Sequence, residues 1–178
     1  MARTRPLIGA TFGLLYVLVN AGALGAAATV LRVIAVIAYA GLLVVALRAP
    51  APRLDGAQHA GTGGFTRGYW FIVAAEVIAL FAGNALLAGP LERPQAVLPW
   101  VTTVVGVHFL ALARVWHAAS IGWLGGALAL CGAFGLVLAW STEATAWIAA
   151  VAGVLPGAIL LAGSWWAVAS GRRQHQEA

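Results

Sequence analysis

Six apolar stretches, each about as long as a bilayer is thick, constrain this chain more than any motif does. They cover residues 7–24, 27–47, 68–88, 95–115, 118–140 and 144–170. A helix needs about 20 mostly apolar residues to cross roughly 30 Å of hydrocarbon. The stretches are continuously apolar and lack the alternation of barrel strands, so helices are predicted. The expected fold class is all-α: a single transmembrane domain over residues 1–178, a polytopic bundle of six helices.

The composition supports lipid as the main solvent and excludes several classes of function. Hydrophobic residues make up 62% of the chain and charged residues 8%, against about a quarter charged in soluble domains. The ten basic residues are all arginine and lie at the ends of apolar stretches, which excludes a phosphate-tracking nucleic-acid surface. The absence of lysine excludes a retinal or pyridoxal Schiff base. With the single Cys131 and no catalytic motif, we expect no enzymatic activity, no cofactor and no metal.

The arginines predict the orientation of the six helices. With both chain ends inside (N-in/C-in), one side of the membrane carries Arg3, Arg5, Arg48, Arg53, Arg67, Arg114, Arg172 and Arg173. The other side carries only Arg93, together with Arg32, which is expected to snorkel toward the outer headgroups. By the positive-inside rule the richer side is cytoplasmic, and so is the proline- and glycine-rich loop 48–67. The expected location is the cytoplasmic (inner) membrane of a bacterium.

The first apolar stretch also fits a second interpretation. A basic start, an apolar run and the small residues that follow it resemble a secretory signal peptide. Cleavage there would leave five helices and the same orientation of the rest. We expect an uncleaved first helix, because the run is long and a second span follows almost at once.

Two ionisable residues, Glu76 and His108, lie deep in the third and fourth stretches. An unpartnered charge at mid-membrane costs about 2.5–3.5 kcal/mol, so each should face the bundle and find a partner. The turn between the two helices centres on Glu92, sixteen residues from each of them. In an antiparallel hairpin, equal distances from the turn mean equal depth. The sequence therefore predicts a carboxylate and an imidazole close enough to share a proton or form an ion pair.

Further polar residues are candidates to surround that pair. Asn84 lies eight residues after Glu76, on roughly the same half of its helix, and Thr102 and Thr103 would add hydroxyl groups nearby. The same mirror about the turn predicts interfacial pairs at the inner surface. They are Arg114 opposite Trp70 and Arg67 opposite His117.

The stretches 68–76 and 104–114 resemble a group of small bacterial multi-spanning membrane proteins. The residues that carry the resemblance are the Gly-Tyr-Trp start of the third helix and Gly106-Val107-His108-Phe109 in the fourth. In that group a Gly-x-His-Phe motif sits in a central helix, and no biochemical activity is assigned to it. The resemblance draws attention to Gly106, His108 and Phe109.

Two functions remain open at this point. One is a small permease or channel-like protein in which Glu76 and His108 line a polar path and exchange a proton, as carboxylate–imidazole relays do. The alternative is a non-transporting scaffold or accessory subunit in which the pair only locks two helices together. Besides the lipid bilayer, a second copy of the chain is an expected partner. It would bind through the glycines of helix five, Gly122, Gly125, Gly126, Gly132 and Gly135.

Overall fold

A computed structural model describes the backbone over residues 4–48 and 67–174 and the side chains of residues 7–48 and 68–170. Within these ranges six helices are long and apolar enough to cross a membrane. Each of the six differs from its predicted range by at most one residue at either end. The all-α, six-span fold is confirmed. The predicted loop 48–67 lies, apart from its two end residues, outside the described residues.

The elements follow one another with short connections. They are α1 (Thr4–Asn20), a 3₁₀ turn (Ala21–Leu24), α2 (Ala27–Arg48), α3 (Arg67–Ala88), a 3₁₀ turn (Pro94–Ala96), α4 (Val97–Trp116) and α5 (Ala119–Ser141). The sixth span (Thr145–Ser170) is built from α6 (Thr145–Ala149), a π turn (Ala150–Val154) and most of α7 (Leu155–Gln174). We call the side where α1 begins and α7 ends the terminal side. The opposite side, with the turns after α1, α3 and α5, is the hairpin side.

The sixth span is the centre of the bundle. α7 packs mainly on α1, and it also contacts α2 and α5, while the π turn contacts α1, α4 and α5. The most extensive contact in the bundle joins α4 and α5, and α3 packs chiefly on α4. The spatial order is therefore α2, α1, sixth span, α5, α4, α3. The outermost helix, α3, contributes Leu87 to a core cluster and exposes large apolar side chains such as Phe71 and Phe81.

Glycine allows α4 and α5 to approach at backbone distance. A Cβ atom added at Gly125 would lie 2.8 Å from the Gly106 carbonyl oxygen, and one at Gly132 would lie 2.4 Å from the Thr103 nitrogen. The same α5 surface reaches the sixth span, where a Cβ at Gly135 would lie 2.7 Å from that of Ala152. Three glycines of helix five thus allow close contacts between helices of the same chain. Self-association through this helix stays a prediction, with open space at Gly126.

The π turn of the sixth span contains a backbone carbonyl that lacks its usual partner within the helix. Pro156 has no N–H group, so the carbonyl of Ala152, four residues earlier, loses its usual helical partner. The Thr102 hydroxyl of α4 donates to that carbonyl at 2.6 Å. A buried threonine from a neighbouring helix therefore satisfies a group that lipid could not.

Arg32 stabilises the end of α1. Its Nε donates to the Leu18 carbonyl at 3.0 Å, one of the last four carbonyls of α1, which have no intrahelical partner. Its guanidinium also lies near Gly22 in the hairpin-side turn, and snorkelling toward the headgroups stays a prediction. The tight 3₁₀ turn after α1 brings the carbonyls of α1 within reach of the guanidinium on α2.

Two tryptophans join helices through their indole N–H groups. Trp100 donates to the Ala79 carbonyl of α3, and Trp165 donates to the Ala38 carbonyl of α2, each at 3.0 Å. Gly83 and Gly41 lie directly against these rings, and a Cβ at Gly41 would meet Trp165 at 3.2 Å. Because glycine has no side chain, Gly83 and Gly41 leave room for an indole ring of the neighbouring helix.

The adjacent glycines of α5 provide a matched test of this packing. We expect Gly125→Ala to destabilise the protein by about 1–3 kcal/mol, because the new methyl group would overlap the backbone of α4. Gly126→Ala should be neutral or slightly stabilising, because its methyl group meets open space and alanine favours the helix. Thermal unfolding of both variants in mild detergent measures the difference. Equal unfolding temperatures would contradict the described α4–α5 contact.

Candidate functional site: an acid–imidazole pair within the membrane span

The face of α3 that meets α4 includes Glu76. The less exposed residues of α3 recur every three or four positions, as a helix packed along one side requires: Tyr69, Ile72, Val73, Glu76, Ala79, Leu80, Gly83, Asn84 and Leu87. Glu76 is the only ionisable carboxyl group on this stripe. An apolar helix that packs on a single neighbour therefore presents its acid to that neighbour.

The α3–α4 turn has the symmetry that the sequence predicts. α3 ends at Ala88, α4 begins at Val97, and Glu92 lies midway with a left-handed backbone (φ 49°). This residue reverses the chain direction, so positions equally far from it lie at equal depth. The turn is therefore compatible with the predicted equal depth of Glu76 and His108.

The two side chains are in contact. His108 Nδ1 lies 2.9 Å from Glu76 Oε2, and the side chains are 13% and 20% exposed, respectively. Nδ1 nevertheless has no hydrogen-bond partner of acceptable geometry among the described residues. Both observations hold if Oε2 lies close to Nδ1 but away from the direction in which an Nδ1–H bond points. We therefore describe the contact as a close ion-pair geometry rather than a well-formed hydrogen bond.

The pair has two net-neutral forms that differ only in where one proton lies. Either the carboxylate faces an imidazolium ion, or a carboxylic acid faces a neutral imidazole. Both hold a single proton, and a low-dielectric interior favours them over forms with a net charge. The arrangement can therefore pass a proton from one side chain to the other without creating net charge in the membrane.

Two further buried polar atoms lie without a hydrogen-bond partner among the described residues. They are Asn84 Oδ1 on α3 and the Tyr16 hydroxyl on α1. Asn84 is two helical turns closer to the hairpin side than Glu76. The Tyr16 hydroxyl is close to the Thr102 hydroxyl and near enough to Glu76 for an electrostatic interaction. Buried polar groups are normally paired, so the Tyr16 hydroxyl near Glu76 and the Asn84 Oδ1 two turns away are exceptions among the described residues.

Tyr16 is the residue that sequence reasoning missed. Its hydroxyl group lies close to Thr102 of α4 and near enough to Glu76 of α3 for an electrostatic interaction, and its Cβ lies 3.0 Å from where a Cβ on Gly157 of α7 would be. Tyrosine is common near the ends of membrane helices, where it anchors in the headgroup layer. Tyr16 instead lies near the middle of the first span, Leu7–Leu24, and that position is the signal that could have suggested an inward side chain.

The remaining predicted neighbours of the pair are placed on other faces of α4. Thr102 turns to the sixth span, while Thr103 donates to the Pro99 carbonyl and packs against Gly132 of α5. Neither hydroxyl is brought to the pair. At about 100° per residue, both threonines lie well over 90° around the helix from His108. The sequence-based grouping ignored this rotation.

Gly106 and Phe109, the two other defined residues of the Gly-x-His-Phe motif, make packing contacts. Gly106 is buried against α5, where an added Cβ would lie 2.3 Å from the Ala129 nitrogen. The Phe109 ring meets the His108 imidazole edge to face, with ring centroids 5.8 Å apart. Gly106 therefore sets the distance between α4 and α5, and Phe109 limits the space around the imidazole.

At the terminal side three aromatic rings are in contact, and the predicted pairing of Arg114 with Trp70 stays a prediction. Tyr69 stacks on Trp116 with ring centroids 6.3 Å apart, and Trp70 meets Tyr69 edge to face. Arg114 and His117 are exposed, and His117 ends α4 with a left-handed backbone (φ 51°). The predicted neighbour of His117, Arg67, has its side chain outside the described residues.

The described side chains offer no metal site, because nowhere do three His, Cys, Asp or Glu residues cluster as a metal would require. Comparison with known proteins adds no assignment. No family model matches the sequence, and neither a curated protein nor a solved structure is detectably similar to it. The chain is thus defined by its fold and its pair: a multi-pass α-helical membrane protein with an acid–imidazole contact between two spans.

A double-mutant cycle tests the energetic link between the two side chains. We expect Glu76→Ala and His108→Ala to couple by about 0.6–1.7 kcal/mol, the range found for polar pairs between membrane helices. Unfolding in mixed micelles would measure the free energy of each variant. The cycle of Glu76→Ala with Thr103→Ala is the control and should show no coupling, since Thr103 packs on α5. Additive effects for the first cycle would contradict a stabilising contact.

Proposed function

We propose that this chain is a small permease or channel-like protein of a bacterial cytoplasmic membrane, in which Glu76 and His108 exchange a proton along a polar path. The observation that carries the proposal is their 2.9 Å contact within two apolar spans. Intramembrane ionisable residues are costly to keep and are characteristic of proton relays.

The surroundings of the pair favour this function over a purely structural one. A contact that only locks helices would satisfy its polar atoms, since an unpaired polar group in hydrocarbon costs several kcal/mol (about 2–7). Here Asn84 Oδ1 and the Tyr16 hydroxyl are buried without a hydrogen-bond partner among the described residues, and His108 Nδ1 has none besides its contact with Glu76. Polar atoms of this kind are suited to water or to a polar solute that visits the site.

Further polar groups lie on the hairpin side of the pair and extend the proposed polar path. From the pair, Tyr16 leads toward Thr102, whose hydroxyl donates to Ala152 in the π turn of the sixth span. π turns within helices are frequent at functional sites. On this proposal, a proton reaches Glu76 from the hairpin side and passes to His108.

The arginines support an orientation with the terminal side in the cytoplasm. Arg48 and Arg114 lie near that side, whereas Arg93 lies in a turn on the hairpin side beside Glu143, with 3.6 Å between the charged atoms. A surplus of arginine is typical of cytoplasmic connections. The hairpin side then faces outward.

Serines at the two ends of α5 test the orientation. Ser120 and Ser141 are both exposed, at the terminal and hairpin ends, respectively. In a Cys131→Ser background, we expect Ser141→Cys to react with a membrane-impermeant maleimide in intact spheroplasts. Ser120→Cys should react only after lysis. The reverse pattern would contradict the proposed orientation.

A scaffold or accessory subunit is the second candidate, and one observation favours it. Because α3 packs chiefly on α4, a direct Glu76–His108 contact is well placed to hold this outer helix in position. In that case the pair affects stability, but no proton or solute crosses the membrane through this chain.

Proton flux into liposomes separates the two functions. We expect purified protein to raise the rate at which an internal pH-sensitive dye responds to an applied gradient. Glu76→Gln and His108→Ala should each reduce that rate at least about tenfold, within the range that proton-transfer groups contribute. Each removes one of the two groups between which the proton moves.

Glu92→Gln is the matched control, because it removes a carboxylate from the turn rather than from the span. It should keep the wild-type rate. If the wild type, Glu76→Gln and His108→Ala all match empty liposomes, transport is excluded and the scaffold function is favoured.

A further inference from the structure

A shallow cleft opens at the terminal side, where α4 passes into α5. Its volume is about 590 Å³, and it is lined by Leu110, Ala113, Arg114, His117, Ala118 and Gly122, among others. The walls are small or apolar, and the polar side chains are one guanidinium and one imidazole. The cleft is separate from the Glu76–His108 contact, which lies deeper in the membrane.

The basic groups of the cleft have no acidic partner among the described side chains. The carboxylates in that part of the chain belong to Glu76, Glu92 and Glu143. Glu76 contacts His108, while Glu92 and Glu143 lie on the hairpin side. No carboxylate in the described ranges is within ion-pair distance of Arg114 or His117. Within the described residues, Arg114 is therefore available to bind an anion from outside them.

The depth of the cleft matches that of lipid headgroups. Arg114 is two residues from the end of its span, which closes at Trp116. Trp116 stacks on Tyr69, and Trp70 contacts that same ring, so three aromatic rings form a belt at this level. Aromatic belts of this kind lie at the headgroup layer. An arginine at the same level meets phosphate groups rather than bulk water.

We propose that this cleft binds the headgroup of an anionic phospholipid, with the phosphodiester held by Arg114 and His117. The planar guanidinium donates two parallel hydrogen bonds to phosphate oxygens, a geometry that favours arginine at such sites. Leu110, Ala113 and Gly122 receive the glycerol and the start of an acyl chain. The proposal does not depend on proton transfer at Glu76, and it holds equally for a transporter or a scaffold.

Native mass spectrometry of the full chain in mild detergent tests the proposal. The probes are dioleoyl-phosphatidylglycerol, dioleoyl-phosphatidylcholine and inorganic phosphate. We expect the wild type to retain phosphatidylglycerol about tenfold more tightly than phosphatidylcholine, because the choline ammonium of phosphatidylcholine offsets the phosphate charge that Arg114 would bind. Inorganic phosphate at the same concentration should not displace the lipid, because it gains nothing from the apolar walls.

Substitutions assign the preference to the cleft. Arg114→Gln should abolish the preference for phosphatidylglycerol, and Arg114→Lys should retain part of it, because the charge remains but the planar fork is lost. Arg48→Gln is the matched control: it removes an exposed arginine in the last turn of α2, on the same side but outside the cleft. It should bind like the wild type. Elution volume and unfolding temperature verify that each variant is folded.

Three results would overturn the proposal. The first is equal retention of the two lipids by the wild type. The second is an unchanged preference in Arg114→Gln, or in Arg114→Lys should the first variant not fold. The third is displacement by inorganic phosphate at the concentration of the lipid, which would identify a site for soluble anions instead.

Discussion

Lipid offers no hydrogen bonds, and the organisation of this protein depends on that fact. Inside a bilayer every backbone and side-chain polar group must find its partner within the chain. The six apolar spans satisfy their own backbones by being helical, and the places where this fails are few. One such place follows from Pro156, which has no N–H group to donate to the Ala152 carbonyl; the Thr102 hydroxyl donates to it instead. The other is the end of α1, where Arg32 donates to the Leu18 carbonyl.

Against this background the acid–imidazole contact stands apart. The contacts made by Thr102, Arg32, Trp100 and Trp165 each complete a hydrogen bond to a backbone carbonyl. Glu76 and His108 meet at 2.9 Å, yet Nδ1 remains without a well-directed bond, and two more orphaned polar atoms are buried in the described bundle. In the part of the chain that the structure describes, these four side chains complete hydrogen bonds to backbone carbonyls, whereas the three buried polar atoms do not.

Much of the fold was predictable from the sequence, because the length and apolar character of each span are properties of consecutive residues. The equal depth of Glu76 and His108 was predictable as well, since it needs only an antiparallel hairpin with Glu92 at its apex. That both would face the bundle followed from the cost of an unpartnered charge in lipid. Tyr16 and the facing of Thr103 were not. Both depend on how α1 and α5 are rotated against α4, and helices that are apolar all round carry no periodic pattern to show this rotation.

The sequence by itself determined that the chain spans a membrane six times and that one acid and one histidine share a depth. Hydrocarbon thickness and helical rise set both, and neither depends on distant contacts. Only the tertiary structure decided which helices are neighbours, placing the sixth span at the centre and α3 at the edge. The physical reason is close packing. In lipid, hydrophobicity does not favour one helix neighbour over another, so the shape of the helix surfaces, set by glycines such as Gly106 and Gly125, selects which helices pack together.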